Sequence, residues 1–313
     1  MGHMENVLVD ADVGYQVRDF LGVTFVNVTT QGDANGIEMF NPSGRATVCN
    51  FRSNLGIAVT LASNDGKLTD SIVWGRDDIA VLVYGDDCLV AGNRIRAEQD
   101  GVVIEGFGTQ ADRNIVRDNH FFWPGDDLDD TYDVIRITDN ADKNVIDGNI
   151  IHPDVTDQPR YGINIDGSTC LENVIGHNSF GDLTDYGTFP LQDLGTDTRY
   201  PAARTADMSV GGALTIGQGA AWYPFAGPSI FLDAHPTAGV APSGGPVTVD
   251  IEKNETTSAY VTATNPSIAS GTKIGSRAPG DPMLFVEDDY ISLNLDAVNG
   301  AENLTCVVRF LEG

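Results

Sequence analysis

Cys88-Leu-Val-Ala-Gly-Asn93-Arg-Ile95, Asn114-Ile-Val-Arg-Asp-Asn119-His-Phe121, Asn144-Val-Ile-Asp-Gly-Asn149-Ile-Ile151 and Asn173-Val-Ile-Gly-His-Asn178-Ser-Phe180 are four renderings of one phrase. Its second Asn returns after 26, 30 and 29 residues. Strands of a sandwich or meander return after about 8 to 12 residues, so this interval is the length of a solenoid turn. Each phrase is followed by a second alternating stretch: Ile79–Gly85, Gly101–Gly106, Val134–Asp139 and Gly162–Gly167. Val81/Val83, Val102/Ile104, Ile135/Ile137 and Ile163/Ile165 fall on one face of it. Leu82/Tyr84, Val103/Glu105, Arg136/Thr138 and Asn164/Asp166 fall on the other. Period-two alternation turns the first set inward and the second outward.

No stretch has the period of a long amphipathic helix, so strands and turns make the return path. Coils of this kind stack in parallel at about 4.8 Å. Weaker copies at about 22 to 23 residues reach back to Val23. The closing apolar residue therefore runs Val28, Phe51, Val73, Ile95, Phe121, Ile151, Phe180, which is about seven coils. The expected fold is all-β: a right-handed parallel β-helix, then an antiparallel β-sandwich or jelly roll. The repeated Asn is expected at the same corner of each coil, bonding to the Asn above and below, as scaffold rather than ligand contact.

Composition narrows the partners. There are 45 acidic residues against 18 basic, a net charge of −27. Aspartate dominates the acids (35 Asp, 10 Glu) and lysine is nearly absent (14 Arg, 4 Lys). Self-repulsion of this size disfavours a compact state at ordinary ionic strength. In molar salt, where the Debye length falls to about 3 Å, it is screened. A halophilic source, an archaeon or its virus, is expected. Nucleic acid is an unsuitable partner without a basic footprint, and no apolar run is long enough for membrane insertion. Cys49, Cys88, Cys170 and Cys306 lack metal-ligand spacing; no disulfide framework, metal site or cofactor is expected.

Met1-Gly-His-Met4 is read as an expression-tag remnant, residues 5–180 as the β-helix, 181–209 as cap and linker, and 210–313 as the sandwich. In the last part, short strands alternate with Gly/Pro turns, from Ala213–Ile216 to Leu304–Phe310. Val247-Thr-Val-Asp250-Ile-Glu-Lys-Asn254-Glu-Thr-Thr-Ser258, Ile268-Ala-Ser-Gly271, Tyr290-Ile-Ser-Leu-Asn-Leu-Asp296 and Asn303-Leu-Thr-Cys-Val-Val308 resemble a sandwich module of phage tail and fibre proteins. The likeness covers about the last 70 residues. It departs at Glu255, where many relatives carry Gly. The whole arrangement resembles viral tailspikes and tail fibres, which implies a homotrimer on the virion tail that binds or cleaves host-surface glycan. Outward Leu82, Tyr84 and Val103 on neighbouring coils would supply a subunit face.

Coil length grows towards the C-terminal end of the repeat, and the excess lies after the Asn phrase: residues 122–132, then 152–161. Insertions at one corner project on one side. Trp123, Tyr132, Tyr161 and Tyr186, beside Asp126, Asp127, Asp129, Asp130, Asp154 and Arg160, would form an aromatic and polar ridge. Such a ridge suits sugars, because rings take their C–H faces while carboxylates and Arg bond their hydroxyls. Solvated acidic loops are the plain alternative. Asp126–Asp130 lacks the spaced ligands and glycine of a calcium loop and is expected to be solvated. Catalysis would require paired carboxylates, and Glu105 and Asp166 share an outward column two coils apart, roughly 9 to 10 Å. That is the edge of the separation in inverting glycosidases.

The expected function is a viral receptor-binding fibre or spike that recognises host-cell polysaccharide or glycoprotein glycan. The alternatives are a secreted β-helix polysaccharide lyase, hydrolase or epimerase, and a purely structural trimeric spacer.

Overall fold

A computed structural model describes residues 3–5, 8–10, 15–17, 24–32, 36–39, 44–106, 111–122, 131–153, 158–183, 185–260, 263–279 and 283–312. The chain divides into two compact units, Met1–Pro201 and Ala202–Gly313.

In the first unit strands recur in threes, one from each coil entering each of three parallel sheets. The first sheet holds Arg45–Thr47, Lys67–Thr69, Leu89–Ala91, Ile115–Arg117 and Val145–Asp147; the second holds Asn50–Ser53, Ile72–Gly75, Arg94–Ala97, His120–Phe122 and Ile150–His152. The third holds Val59–Leu61, Val81–Val83, Val102–Glu105, Asp133–Thr138 and Tyr161–Asp166. Further coils extend the array at both ends. His3–Glu5 pairs with Thr24–Val26, and Phe189–Asp193 pairs with Tyr161–Asp166. Neither end carries the Asn phrase in full, which is why the repeat is faint there. Phe180 is not where the parallel pairing stops, because Leu171 and Val174 bridge to Thr196 and Arg199.

The expected alternation is present. Val81, Val83, Val102, Ile104, Ile135, Ile137, Ile163 and Ile165 are all fully buried. The outward side differs from expectation in one respect. Leu82 and Val103 are already covered within the single chain, 2 % and 0 % exposed, so they leave no open apolar face for another subunit.

The Asn phrase encodes a corner. The residue that turns the chain from the first sheet to the second is left-handed in successive coils: Asn27, Val48, Asp70, Gly92, Asp118 and Gly148, with φ of 52°, 53°, 51°, 67°, 54° and 69°. Asn, Asp and Gly tolerate that conformation; a β-branched residue does not. Val48 is exposed and gains nothing from packing, so Val48→Asn is expected to stabilise the protein by about 1 kcal/mol, read as a raised denaturant midpoint.

The next residue points inward and forms a ladder. Asn93, Asn119 and Asn149 each donate a side-chain N–H to the Oδ1 of the Asn one coil on, at 2.9, 3.0 and 2.9 Å. Each also donates to a carbonyl of the coil before, namely Leu68, Val90 and Val116. Ser71 and Cys49 continue the column, the Ser71 N–H donating to Asn93 Oδ1 and the Cys49 N–H to Ser71 Oγ. A second column runs Cys88, Asn114, Asn144, Asn173, each backbone N–H donating to the next Oδ1 at 2.8 to 2.9 Å. The buried backbone amides of these corners are thereby satisfied without water. The four cysteines are free and buried.

The second unit is a pair of antiparallel sheets around a common core. One has the order Arg204–Ala213, Glu302–Glu312, Ser229–Val240, Ala278–Pro279; the other Gly217–Pro224, Tyr290–Ala297, Val247–Lys253, Thr257–Ser258. Phe225 stacks on Phe285 at 4.3 Å and meets Phe310 edge-on at 5.0 Å between them. Arg204–Ala213 begins inside the stretch read as linker. Ala206, Met208 and the partly buried Val210 mark its inward side, a weak signal for an edge strand.

Candidate functional site

The third sheet carries a charged cluster on its outer side, where the longest corner insertions return to it. Asp133 opens its strand fully buried, and Arg160 grips it with two bonds, Nε to Oδ1 at 3.0 Å and Nη2 to Oδ2 at 2.7 Å. Asn164 adds a third, Nδ2 to Oδ2 at 2.8 Å, and the Asp133 backbone N–H donates to Asp100 Oδ1 at 2.7 Å. Arg136 reaches Asp100 Oδ2 at 3.0 Å. Local sequence explains the placement. Asp100 stands just before its strand and Asp133 is the first residue of its own, in register with Tyr161, while Arg136 and Asn164 are paired outward positions.

Fork-shaped pairing to a buried carboxylate is strong and directional. It also fixes the two guanidinium groups, each about a third exposed (33 % for Arg160, 30 % for Arg136), at the rim. Two polar atoms inside the cluster have no partner, Arg136 Nε and Asn164 Oδ1, one donor and one acceptor. Burial pushes the Asp100 carboxyl up to about 6, with Arg136 opposing the shift only in part. Because its folded value lies above the usual carboxylate value, its contribution to stability is full below about pH 4 and is lost as pH rises through 6. Asp100→Asn is therefore expected to narrow the stability difference between pH 4 and pH 7 relative to the wild type, measured by thermal melts across that range.

Tyr132, Arg160 and Tyr161 are brought together here: the Arg160 N–H donates to the Tyr132 carbonyl at 2.7 Å, and its guanidinium carbon lies 5.1 Å from the Tyr161 ring centroid. Tyr161 is itself buried, and its phenol is pushed up by burial. Tyr186 turns inward, giving its hydroxyl to the Phe180 carbonyl at 2.7 Å with its ring edge against Phe180, so it packs the end of the solenoid. Trp123, Asp126, Asp127, Asp129, Asp130 and Asp154 lie outside the described residues. Glu105 and Asp166 do share one column, with Thr138 in register between them; Arg136 and Asn164 occupy the neighbouring column. Burial and the Glu105 carboxylate together push the Tyr84 phenol up. Among the described residues no group of three metal-ligating side chains converges.

Asp100 and Asp133 were not singled out from sequence. The available signal was an acid standing directly before Gly101 and before Val134, in two consecutive coils.

Solved structures with a similar fold include a phage tailspike domain, and that likeness extends over nearly the whole chain. The enzymatically active domain of tailspike protein 2 from bacteriophage CBA120 superposes with a TM-score of 0.51 at 8 % identity, covering 97 % of this chain and 60 % of that one. The chain thus spans less than two thirds of that domain. Looser likenesses are the tailspike of E. coli bacteriophage HK620, solved with a pentasaccharide (TM-score 0.39, 12 % identity, 94 % and 68 % covered), and DFA-IIIase from Arthrobacter chlorophenolicus A6 (0.45, 15 %, 63 % and 50 %). No family model and no curated protein matches the sequence.

Proposed function

We propose that this chain is the receptor-binding spike or fibre domain of a virus, and that it recognises host-surface glycan at the corner between the second and third sheets. The observation that carries the reading is the Asp100–Arg136–Asp133–Arg160–Asn164 cluster. It is a hydrogen-bonded polar cluster on the third sheet whose two arginine side chains are about a third exposed. Such sites bind hydroxyl-rich ligands at low ordering cost because their side chains are already locked. The aromatic and acidic residues of the insertions, Trp123, Asp126, Asp127, Asp129, Asp130 and Asp154 with Tyr132, extend the patch in this reading. The likeness to tailspikes supports a place on the virion tail. Trimerisation follows from the same reading; the first sheet supplies an outward apolar column, Leu89, Ile115, Val145 and Val174, for the subunit contact. The excess of Asp over Lys supports a halophilic host.

Pull-down of host cells and binding to host-glycan arrays in molar salt test this; absence of binding in both removes the reading. A second reading, cleavage of that glycan, is favoured by one observation: the carboxylates of Glu105 and Asp166 stand in one column of the third sheet, with Thr138 in register between them. Host exopolysaccharide incubated with the protein would then yield shortened or unsaturated chains, and Glu105→Gln or Asp166→Asn would abolish them. Unchanged cleavage in both variants excludes that pair.

A further inference from the structure

The outward face of the second sheet gathers arginine and aromatic side chains. One of its two columns runs Thr29, Asn50, Ile72, Arg94, His120, Ile150. The other runs Gln31, Arg52, Trp74, Arg96, and is continued by Phe122 and His152 in the next two coils. Neither column holds a carboxylate over these six coils, although the chain has 45 acidic residues; the nearest acidic position along them is Asp10, in register with Gln31. Three of the 14 arginines gather here instead.

The arginines are arranged around an aromatic ring. Trp74 lies between two guanidinium groups, the Cζ of Arg52 at 5.1 Å from its centroid and that of Arg96 at 4.6 Å. Arg94 lies 5.1 Å from the Phe122 centroid, and His120 meets both Phe122 and His152. Arg52 and Arg94 are exposed and, among the described residues, form no ion pair. The indole N–H of Trp74 is buried without an acceptor. The His120 imidazole is held below its usual value by burial first, then by His152 and Arg94, as expected on a cationic surface.

We infer that this face binds an acidic polysaccharide, a glycan chain bearing carboxylate or sulfate groups, lying along the stack of coils. The inference rests on the glycan-recognition reading above and adds the charge class of the ligand. Guanidinium forks match carboxylate and sulfate oxygens, and indole and phenyl faces take the C–H side of sugar rings. A polymer laid across successive coils meets Arg52, Trp74 and Arg96 one strand step apart. The net charge of −27 does not prevent it. With a Debye length of about 3 Å in molar salt, distant repulsion is screened while pairs in contact persist. A second copy packed symmetrically on this face would oppose arginine to arginine.

The test uses the full chain in 1 to 2 M KCl with three immobilised polymers: polygalacturonate, dextran sulfate and neutral dextran. The wild type is expected to bind at least one acidic polymer and not the neutral one. The triple variant Arg52→Gln/Arg94→Gln/Arg96→Gln is expected to lose at least tenfold in affinity, and Arg117→Gln/Arg204→Gln, which lies off this face, to lose none. Three results overturn the inference: no binding to either acidic polymer, an equal loss in the control variant, or a change of particle mass by light scattering in the triple variant, which would make this face a subunit contact. Host-glycan binding that survives in the triple variant also overturns it, while leaving the broader recognition reading intact.

Discussion

Asn119→Ala is expected to destabilise the solenoid by about 3–5 kcal/mol. Asn119 is 1 % exposed and joins three coils. Its Oδ1 accepts from the backbone and side-chain nitrogens of Asn93 at 3.0 and 2.9 Å, and its Nδ2 donates to the Val90 carbonyl and to Asn149 Oδ1 at 2.9 and 3.0 Å. Alanine breaks four hydrogen bonds: the Asn93 backbone N–H and the Val90 carbonyl lose this partner, each costing about 1–2 kcal/mol, while Asn93 Nδ2 keeps the Leu68 carbonyl and Asn149 Oδ1 keeps the Asn119 backbone N–H. Asn114→Ala is the control. Its Oδ1 accepts from Cys88, but its Nδ2 has no partner even in the wild type, so the expected loss is only about 1–2 kcal/mol. Denaturant unfolding of the two variants compares them directly. Equal losses would mean that the ladder adds nothing beyond single corner bonds.

The second large effect is expected at Asp133→Ala. The carboxylate has no solvent exposure and anchors Arg160 and Asn164, so its removal strands a guanidinium and an amide N–H. Breaking a fully buried pair costs about 3–5 kcal/mol. Arg160 is 33 % exposed, which discounts the loss to about 2–3 kcal/mol. The double variant Asp133→Ala/Arg160→Met removes the stranded charge and is expected to recover about half of that loss. Glycan binding should fall at least tenfold in both. A variant that regains stability without regaining binding separates recognition from folding.

The period, the alternation and the Asn corners were all legible in the chain, because a solenoid writes each coil in one stretch of sequence. Asn93, Asn119, Asn149 and Asn178 announce their column by spacing alone. What spacing could not convey is lateral. Asp100 and Asp133 meet Arg136 and Arg160 across coils of unequal length, so no fixed interval links them. Tyr186 looked like a surface aromatic in a polar loop, yet the hydrogen bond to the Phe180 carbonyl and the packing on Phe180 draw it inward. Leu82 and Val103 alternate with the inward residues, yet they are 2 % and 0 % exposed. The carboxylate-free face of the second sheet is invisible until register aligns Arg52, Trp74 and Arg96, which are 22 residues apart in sequence.

The most direct test of the account is binding of the host's envelope polysaccharide in molar KCl, measured side by side for the wild type and the Asp133→Ala/Arg160→Met double variant. The account predicts saturable binding by the wild type and at least a tenfold loss in a variant that remains folded. Undiminished binding by the folded variant, or no binding by the wild type, would contradict it.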